Sequence, residues 1–388
     1  MPSPEQESIL RRHCAHARYL WNVAVEQHQW WRPGRHSAPA YLEQCRQLTD
    51  ARASCPWLAD GSQMVQQQAL RDFAQAMTNF FNGTHRRPTW RKAGRNEGFR
   101  IVALRSGDVR RLNRKVGVVR VPKAGWVRFR WSRDIPIGVK SYRVTQDRAG
   151  RWHVAFAAVP FPVPAPGNGL VVGIDRGVAV AAALSTGELL VAPKLKKPEA
   201  ARLARLQRTM ARTQRGSNRR KRVRASIAKL KARETDRRKD WSEKTSTDLA
   251  RRFDLIRVEN LNIRNMTRSA KGNAAAPGRN VHARASLNRG IMTSGWGILV
   301  SRLEDKASGR VERVNAAYTS QRCSACGHTA AGSRESQAIY RCVSCGYACN
   351  ADVNAARNIA AGHAVSARGG FRVAGPMNRE PQLLLPTA

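Results

Sequence analysis

The chain has 388 residues, 42% of them hydrophobic, and carries 69 Lys+Arg against 27 Asp+Glu, a formal net charge of +42. That length allows two or three domains with cores of their own, and that hydrophobic content excludes wholesale disorder. A surface so cationic repels itself and asks for a polyanionic partner; nucleic acid comes ahead of an anionic membrane, since no apolar run approaches the ~18 residues a spanning helix needs.

The N-terminus, MPSPEQESILRRH, lacks the basic-then-apolar order of a secretory signal, which points to the bacterial cytoplasm or nucleoid. Residues 4–28, 40–54 and 62–82 carry apolar residues at helical spacing. The basic, Gly/Pro-punctuated stretch 83–100 reads as exposed loop. From 116 the period changes to two: VGVVRVPKAGWVRFRW and KSYRVTQDRAGRWHVAFAAV (140–159) each predict a β-hairpin, one about Pro-Lys-Ala-Gly and one about Asp-Arg-Ala-Gly. FPVPAPGNG at 161–169 has the composition of a linker. Beyond it come an apolar strand, a turn and a second strand, then a helical stretch at 198–250 broken at 216–218.

Between 201 and 240 there are 16 Lys+Arg against 3 acidic residues, so nothing along these helices neutralises their charge. This singles out Arg219, Arg220, Lys221, Arg222 and Arg224 as nucleic-acid contacts. FDLIRVENLN then gives a strand ending in Glu259, followed by a polar segment at 265–285, a helix over 286–308 and a strand over 311–318. The tail from about 363, rich in Gly, Arg and Pro, reads as poorly ordered.

Eight cysteines in a reducing compartment are not a disulfide framework. Cys14, Cys45 and Cys55 are scattered through helical sequence and read as small apolar residues. The other five fall within 27 residues, and four of them form two Cys-x-x-Cys-Gly knuckles, CSACG at 323–327 and CVSCG at 342–346. Cys323, Cys326, Cys342 and Cys345 suit a closed, structural Zn²⁺ site, with His328 and Cys349 near enough to compete as ligands. A ribbon this small lacks a core, so the metal supplies it.

In so basic a chain the carboxylates at strand ends stand out. Asp175 follows Val-Val-Gly-Ile, Glu259 ends Asp-Leu-Ile-Arg-Val, and Asp352 opens the helical ADVNAARNIAAG, where helix capping is its competing role. Strand–hairpin, helices, strand–Glu, helix, strand and Asp–helix is the order of an RNase H-like fold, which would bring the three to one face. Two Mg²⁺ ions would relieve their mutual repulsion and activate water for attack on a phosphodiester.

The motifs GIDRGV, RVENLNIRNM, YTSQRCSACGH and CGYACNADVNAARNI, in this order, resemble the RuvC and zinc-ribbon motifs of the TnpB family, relatives of compact type V CRISPR effectors. PEQ at 4–6, YLWN at 19–22, FFNG…RPTWRKAG and PKAGWVRFR resemble its recognition and wedge regions more loosely. The resemblance implies RNA-guided, metal-dependent DNA cleavage, with guide RNA and double-stranded DNA as partners and a short flanking motif read by protein. It assigns Asp175, Glu259 and Asp352 to Mg²⁺ and catalysis, and the four knuckle cysteines to zinc. It also implies a multidomain α+β chain: a helical recognition domain at 1–100, a β-barrel-like wedge domain at 101–165, and an RNase H-like (RuvC) domain at 166–320 and 348–388 with a zinc ribbon inserted at 321–347.

Three departures bear on these expectations. The family opens with a β-strand before its Pro-x-x-Glu-Gln-like element, where this chain begins, so one wedge strand is expected to be missing. Asn350 stands where many relatives have a second Asp, and Arg176 replaces a commoner apolar residue and is expected to meet a phosphate. A guide-directed repressor with a decayed nuclease would lack one of the three carboxylates, and a DNA transposase would need a domain that binds transposon ends. Neither feature is evident.

Overall fold

The computed structural model describes residues 1–30, 34, 38–105, 107–159, 161–273 and 275–362, so the tail expected from about 363 lies outside the described residues. Two compact units emerge, Met1–Val159 with Ala201–Ala232, and Pro160–Ala200 with Arg233 onward.

In the first unit, α1 (Pro4–Gln29) starts at a capping box: the Ser3 hydroxyl accepts from Gln6 N, and the Gln6 side chain accepts from Ser3 N. Leu10, Cys14, Ala17, Trp21 and Val25 recur at helical spacing and are buried. They share a core with Val65, Ala69, Leu70, Phe73 and Met77 of α4 (Gln63–Phe81), beside α2 (Tyr41–Ser54) and the one-turn α3 (Pro56–Ala59). Six strands follow: β1 (Glu97–Val102), β2 (Val109–Arg111), β3 (Val116–Val121), β4 (Gly125–Arg130), β5 (Ser141–Gln146) and β6 (Trp152–Phe156). They form two antiparallel three-stranded sheets, β1-β5-β6 and β2-β3-β4, whose inner residues join the helical core.

Both expected hairpins form. β3 and β4 turn through Lys123 in the left-handed region (φ +61°), and β5 and β6 turn where the Asp147 carboxylate accepts from the N–H groups of Ala149 and Arg151. The sheets are bridged where Tyr142 Oη donates to Arg120 O at 2.6 Å. The stretch 83–100 is not wholly loop, because Glu97–Val102 is a strand. Phe99 and Ile101 point into the core while β1 pairs along its length with β5.

The second unit contains β7 (Val171–Asp175), β8 (Ala182–Leu184), β9 (Leu189–Leu190), β10 (Leu255–Glu259) and β11 (Val311–Val314) in the sheet order β11-β10-β7-β8-β9. β7, β10 and β11 are parallel and β8 runs against β7, which is the RNase H-like arrangement expected. Two long helices lead from β9 toward β10: α5 (Lys197–Arg212) and α6 (Asn218–Arg252), with the break where the sequence placed it. After β10 come the one-turn α7 (Ile263–Met266), α8 (Val281–Ser294) and α9 (Trp296–Lys306).

The single helix expected over 286–308 is thus two. Gly295 interrupts it at φ +83°, and a Cβ there would meet Arg238 Cδ of α6 at 3.1 Å. The 161–169 stretch is fastened rather than loose: Val163 N donates to Lys306 O at 2.6 Å, and Gly167 N donates to the Asp254 carboxylate at 2.9 Å. The core is Val172, Ile174, Leu184, Leu249, Ile256, Val258, Leu299 and Leu303 with their neighbours. The chain ends its described part with β12 (Ile339–Arg341), β13 (Ala348–Asn350) and α10 (Ala351–Ala360), which packs on β7, β8 and β10. No helix among the described residues is long and apolar enough to cross a membrane.

Candidate functional site

The two knuckles fold alike because their sequences are alike. In each, the first cysteine's N–H donates to a carbonyl five residues on (Cys323 to His328, Cys342 to Tyr347, both 2.8 Å). Its carbonyl in turn accepts from the glycine four residues on, Gly327 or Gly346, and both glycines take positive φ, +79° and +73°. The four thiols converge until all the sulfurs lie within 4.8 Å of one another. Cys323 Sγ to Cys345 Sγ is 3.8 Å and Cys326 Sγ to Cys342 Sγ is 3.6 Å. A tetrahedron with metal–sulfur arms of about 2.3 Å has edges of about 3.8 Å, so the set fits zinc. The clustered thiols shift apart: backbone N–H groups of Cys345 and Ser344 draw the Cys342 thiol down, while, against the Tyr347 backbone, the Cys326, Cys342 and Cys323 thiols push Cys345 up. His328 and Cys349, the competing ligands, are not in this group.

Two of the three carboxylates stand side by side at one end of the second unit's sheet, and the third is carried by the helix packed on that sheet. Ile174 of β7 is in register with Val258 of β10, so Asp175 and Glu259 follow side by side at the carboxyl ends of adjacent parallel strands. Asp352 lies in the first turn of α10, and α10 rests on β7 so closely that Gly173 leaves no room for a Cβ. Asp352 is not the helix cap. Asn350 is, its side chain accepting from the N–H groups of Asp352 (3.0 Å) and Val353 (3.2 Å).

Burial pushes the Asp352 carboxyl above the usual range, against the pull of Arg334, whose guanidinium stands 3.4 Å away. Glu259 is buried and accepts from Thr319 Oγ1 at 2.9 Å. Among the described residues these three acids do not close to within 4.8 Å of one another as the four sulfurs do.

Several residues that matter here were not legible in the sequence. Arg334 reaches Asp352 from the knuckle segment. Asn354 and Asn358, one helical turn apart on α10, are buried and grip the chain entering the first knuckle. Asn354 accepts from Ser324 N at 2.9 Å and donates to Arg322 O at 2.7 Å, while Asn358 donates to Thr319 O and Arg322 O. Two amides on the inward face of an alanine-rich helix were the available signal.

Two of the arginines expected at phosphates have partners within the protein. Arg176 is 7% exposed and donates to the Glu259 backbone carbonyl, joining β7 to β10 rather than facing solvent. Arg220 is half-buried and donates to the carbonyls of Met210 and Thr213, closing the end of α5. Arg219, Lys221, Arg222 and Arg224 are exposed on the first turns of α6.

The profile of the OrfB_IS605 family ("Probable transposase") matches residues 142–270, and that of the Cas12f1-like TNB domain matches 296–359, the span holding the knuckles and Asp352. An Escherichia coli (strain K12) protein named "Putative RNA-guided DNA endonuclease InsQ" is 35% identical over 98% of this chain and 95% of its own length. The chain belongs to the TnpB (OrfB_IS605) family. Another relative, "Putative RNA-guided DNA endonuclease" of Streptomyces pristinaespiralis, is 33% identical over 95% of this chain and 89% of its own. A third, the CRISPR-associated endodeoxyribonuclease Cas12f1 of Sulfoacidibacillus thermotolerans, is 54% identical over a segment that is 14% of this chain. In fold, this TnpB-family chain is similar to Cas12f1 in its complex with sgRNA and target DNA, with a TM-score of 0.54 over 92% of this chain and 83% of that one at 15% identity.

Proposed function

We propose that this TnpB-family chain is an RNA-guided DNA endonuclease in which Asp175, Glu259 and Asp352 hold Mg²⁺ and hydrolyse the phosphodiester backbone. The observation that supports the reading is that Asp175 and Glu259 end adjacent parallel strands of an RNase H-like sheet and Asp352 opens the helix packed on it, in a chain of net charge +42. Oxygen donors suit Mg²⁺, and their mutual repulsion is relieved by a cation rather than by one another. Bound there, Mg²⁺ supplies Lewis acidity and a water activated for in-line attack. The chain's own residues orient the donors. Thr319 fixes one oxygen of Glu259, the Asn350 cap fixes the first turn carrying Asp352, and Arg334 is placed to neutralise a phosphate that approaches Asp352.

The knuckles take zinc as a structural ion and carry no step of the chemistry. RNA pairing supplies target sequence, a short duplex motif is read by protein, and double-stranded DNA is the substrate, as the names of the relatives suggest. The test is to sequence the RNA that copurifies with the chain, then offer a plasmid matching its variable end, with Mg²⁺. Cutting of the matched plasmid and sparing of a mismatched one is the expected result. Cutting that ignores the RNA, or no RNA at all, overturns the reading.

A further inference from the structure

Four arginines with no counter-charge line one concave surface. Arg205, Arg208 and Arg212 recur at intervals of three and four along α5 and so share a face. Arg219, in the first turn of α6, reaches the same concavity across the bend, and Thr209 and Thr213 complete a lining of about 420 Å³. Among the described residues no carboxylate pairs with any of the four, although other cations of α6 do find one: Arg237 meets Glu199 at 2.6 Å and Lys244 meets Asp240 at 2.7 Å. α5 has no buried residue, so its arginines are not there to pack a core.

The bend that presents them is braced. Arg220 Nη1 donates to the carbonyls of Met210 and Thr213, Ser217 Oγ accepts from Arg220 N at 3.2 Å, and Gly216 takes φ +87°.

We propose that this bend is a phosphate cradle in which Arg205, Arg208, Arg212 and Arg219 grip the backbone of the guide RNA; the proposal rests on the RNA-guided reading above. Guanidinium forks match phosphate oxygens two at a time, and no aromatic lines the concavity on which a base could stack. The cradle therefore reads backbone, not sequence. Four clustered cations repel one another until a polyanion arrives, which favours a resident partner over a transient one. In an RNA-guided enzyme the RNA is resident and the DNA target comes and goes.

The test uses the full chain with Arg205, Arg208, Arg212 and Arg219 all changed to Gln, and a milder Arg208→Gln/Arg212→Gln pair in case the quadruple variant loses helicity. The probe is the RNA extracted from the wild-type preparation, titrated at several salt concentrations. Affinity should fall at least about tenfold for the quadruple variant and less for the pair. The slope of log K against log[salt] should shrink by about 0.7 for each phosphate no longer gripped. RNA-saturated variant and wild type should bind a matched DNA duplex equally. Unchanged RNA affinity and slope beside an RNA-binding wild type would overturn the cradle alone, as would a defect confined to the DNA arm. A wild type that binds no RNA would sink the functional reading and the cradle with it.

Discussion

Gly173 lies in β7 under α10, where an added Cβ would sit 2.0 Å from Ala356 O and 2.3 Å from Ala360 N. Backbone atoms of a packed helix cannot step aside as a side chain can, so Gly173→Ala should push α10, and Asp352 with it, off the sheet. The expected cost is about 1–3 kcal/mol of overpacking or more, read as a lower denaturant midpoint with cleavage lost; a variant of wild-type stability would mean the helix does not sit this close.

Three histidines of the first unit set its response to acid. His13, His16 and His28 all have pKa values held below their ordinary 6.5, chiefly by burial. Cationic neighbours add to this, namely Arg12 and Lys123 for His13, Arg12 and Arg52 for His16, and Arg87 for His28. The Pro122 carbonyl opposes the shift for His13, Asp60 for His16 and the Pro39 backbone for His28. Because the unfolded chain takes up these protons first as pH falls, the stability from burying neutral rings is fully present above about 6.5 and is lost as pH drops through the folded values. Thermal unfolding should therefore begin at a lower temperature at about pH 5.5 than at about pH 7.5, and His13→Gln should flatten the dependence. A midpoint that rises on acidification would contradict it.

The knuckles and α10 behave as one element, joined by the two buried asparagines. Asn354→Ala would strand Ser324 N–H, at about 1–3 kcal/mol, and would leave Arg322 C=O to the Asn358 amide alone. Zinc should then pass to a chelator faster than from the wild type while RNA binding holds; an unchanged release rate would mean that the asparagine does not brace the knuckle. Cys342→Ser removes a ligand and should take the zinc content from about one per chain toward zero; full retention would count against the four-cysteine site.

What was legible in the sequence at this scale was local. Cys-x-x-Cys-Gly declares itself because its turn needs only five residues, and the two hairpins because Asp147-Arg-Ala-Gly and Pro122-Lys-Ala-Gly make their own turns. β1 was hidden because its partner, β5, lies some forty residues on, and a Gly-rich basic run precedes it. The Gly295 break and the jobs of Arg176 and Arg220 were hidden for the same reason: each is decided by a neighbour that the fold, not the sequence, brings near.

For the whole molecule, two opposite electrostatic demands coexist. A net charge of +42 favours a polyanionic partner, while the few acids at one sheet end sit among cations, Arg176 beside Glu259 and Asp175 and Arg334 beside Asp352. The order of strands along the chain was legible in the sequence, whereas the absence of a three-acid group within 4.8 Å among the described residues did not follow from order alone.

Asp352→Asn separates the two demands in a single atom exchange. Asn350 already caps α10, so the change should leave the fold, the zinc and the binding of RNA and matched DNA intact. The amide lacks the charge that draws Mg²⁺, so neither strand of a matched plasmid should be cut. Binding and cutting measured side by side on the same preparation give the answer: binding kept with cutting abolished is the predicted result, and near wild-type cutting would contradict the account.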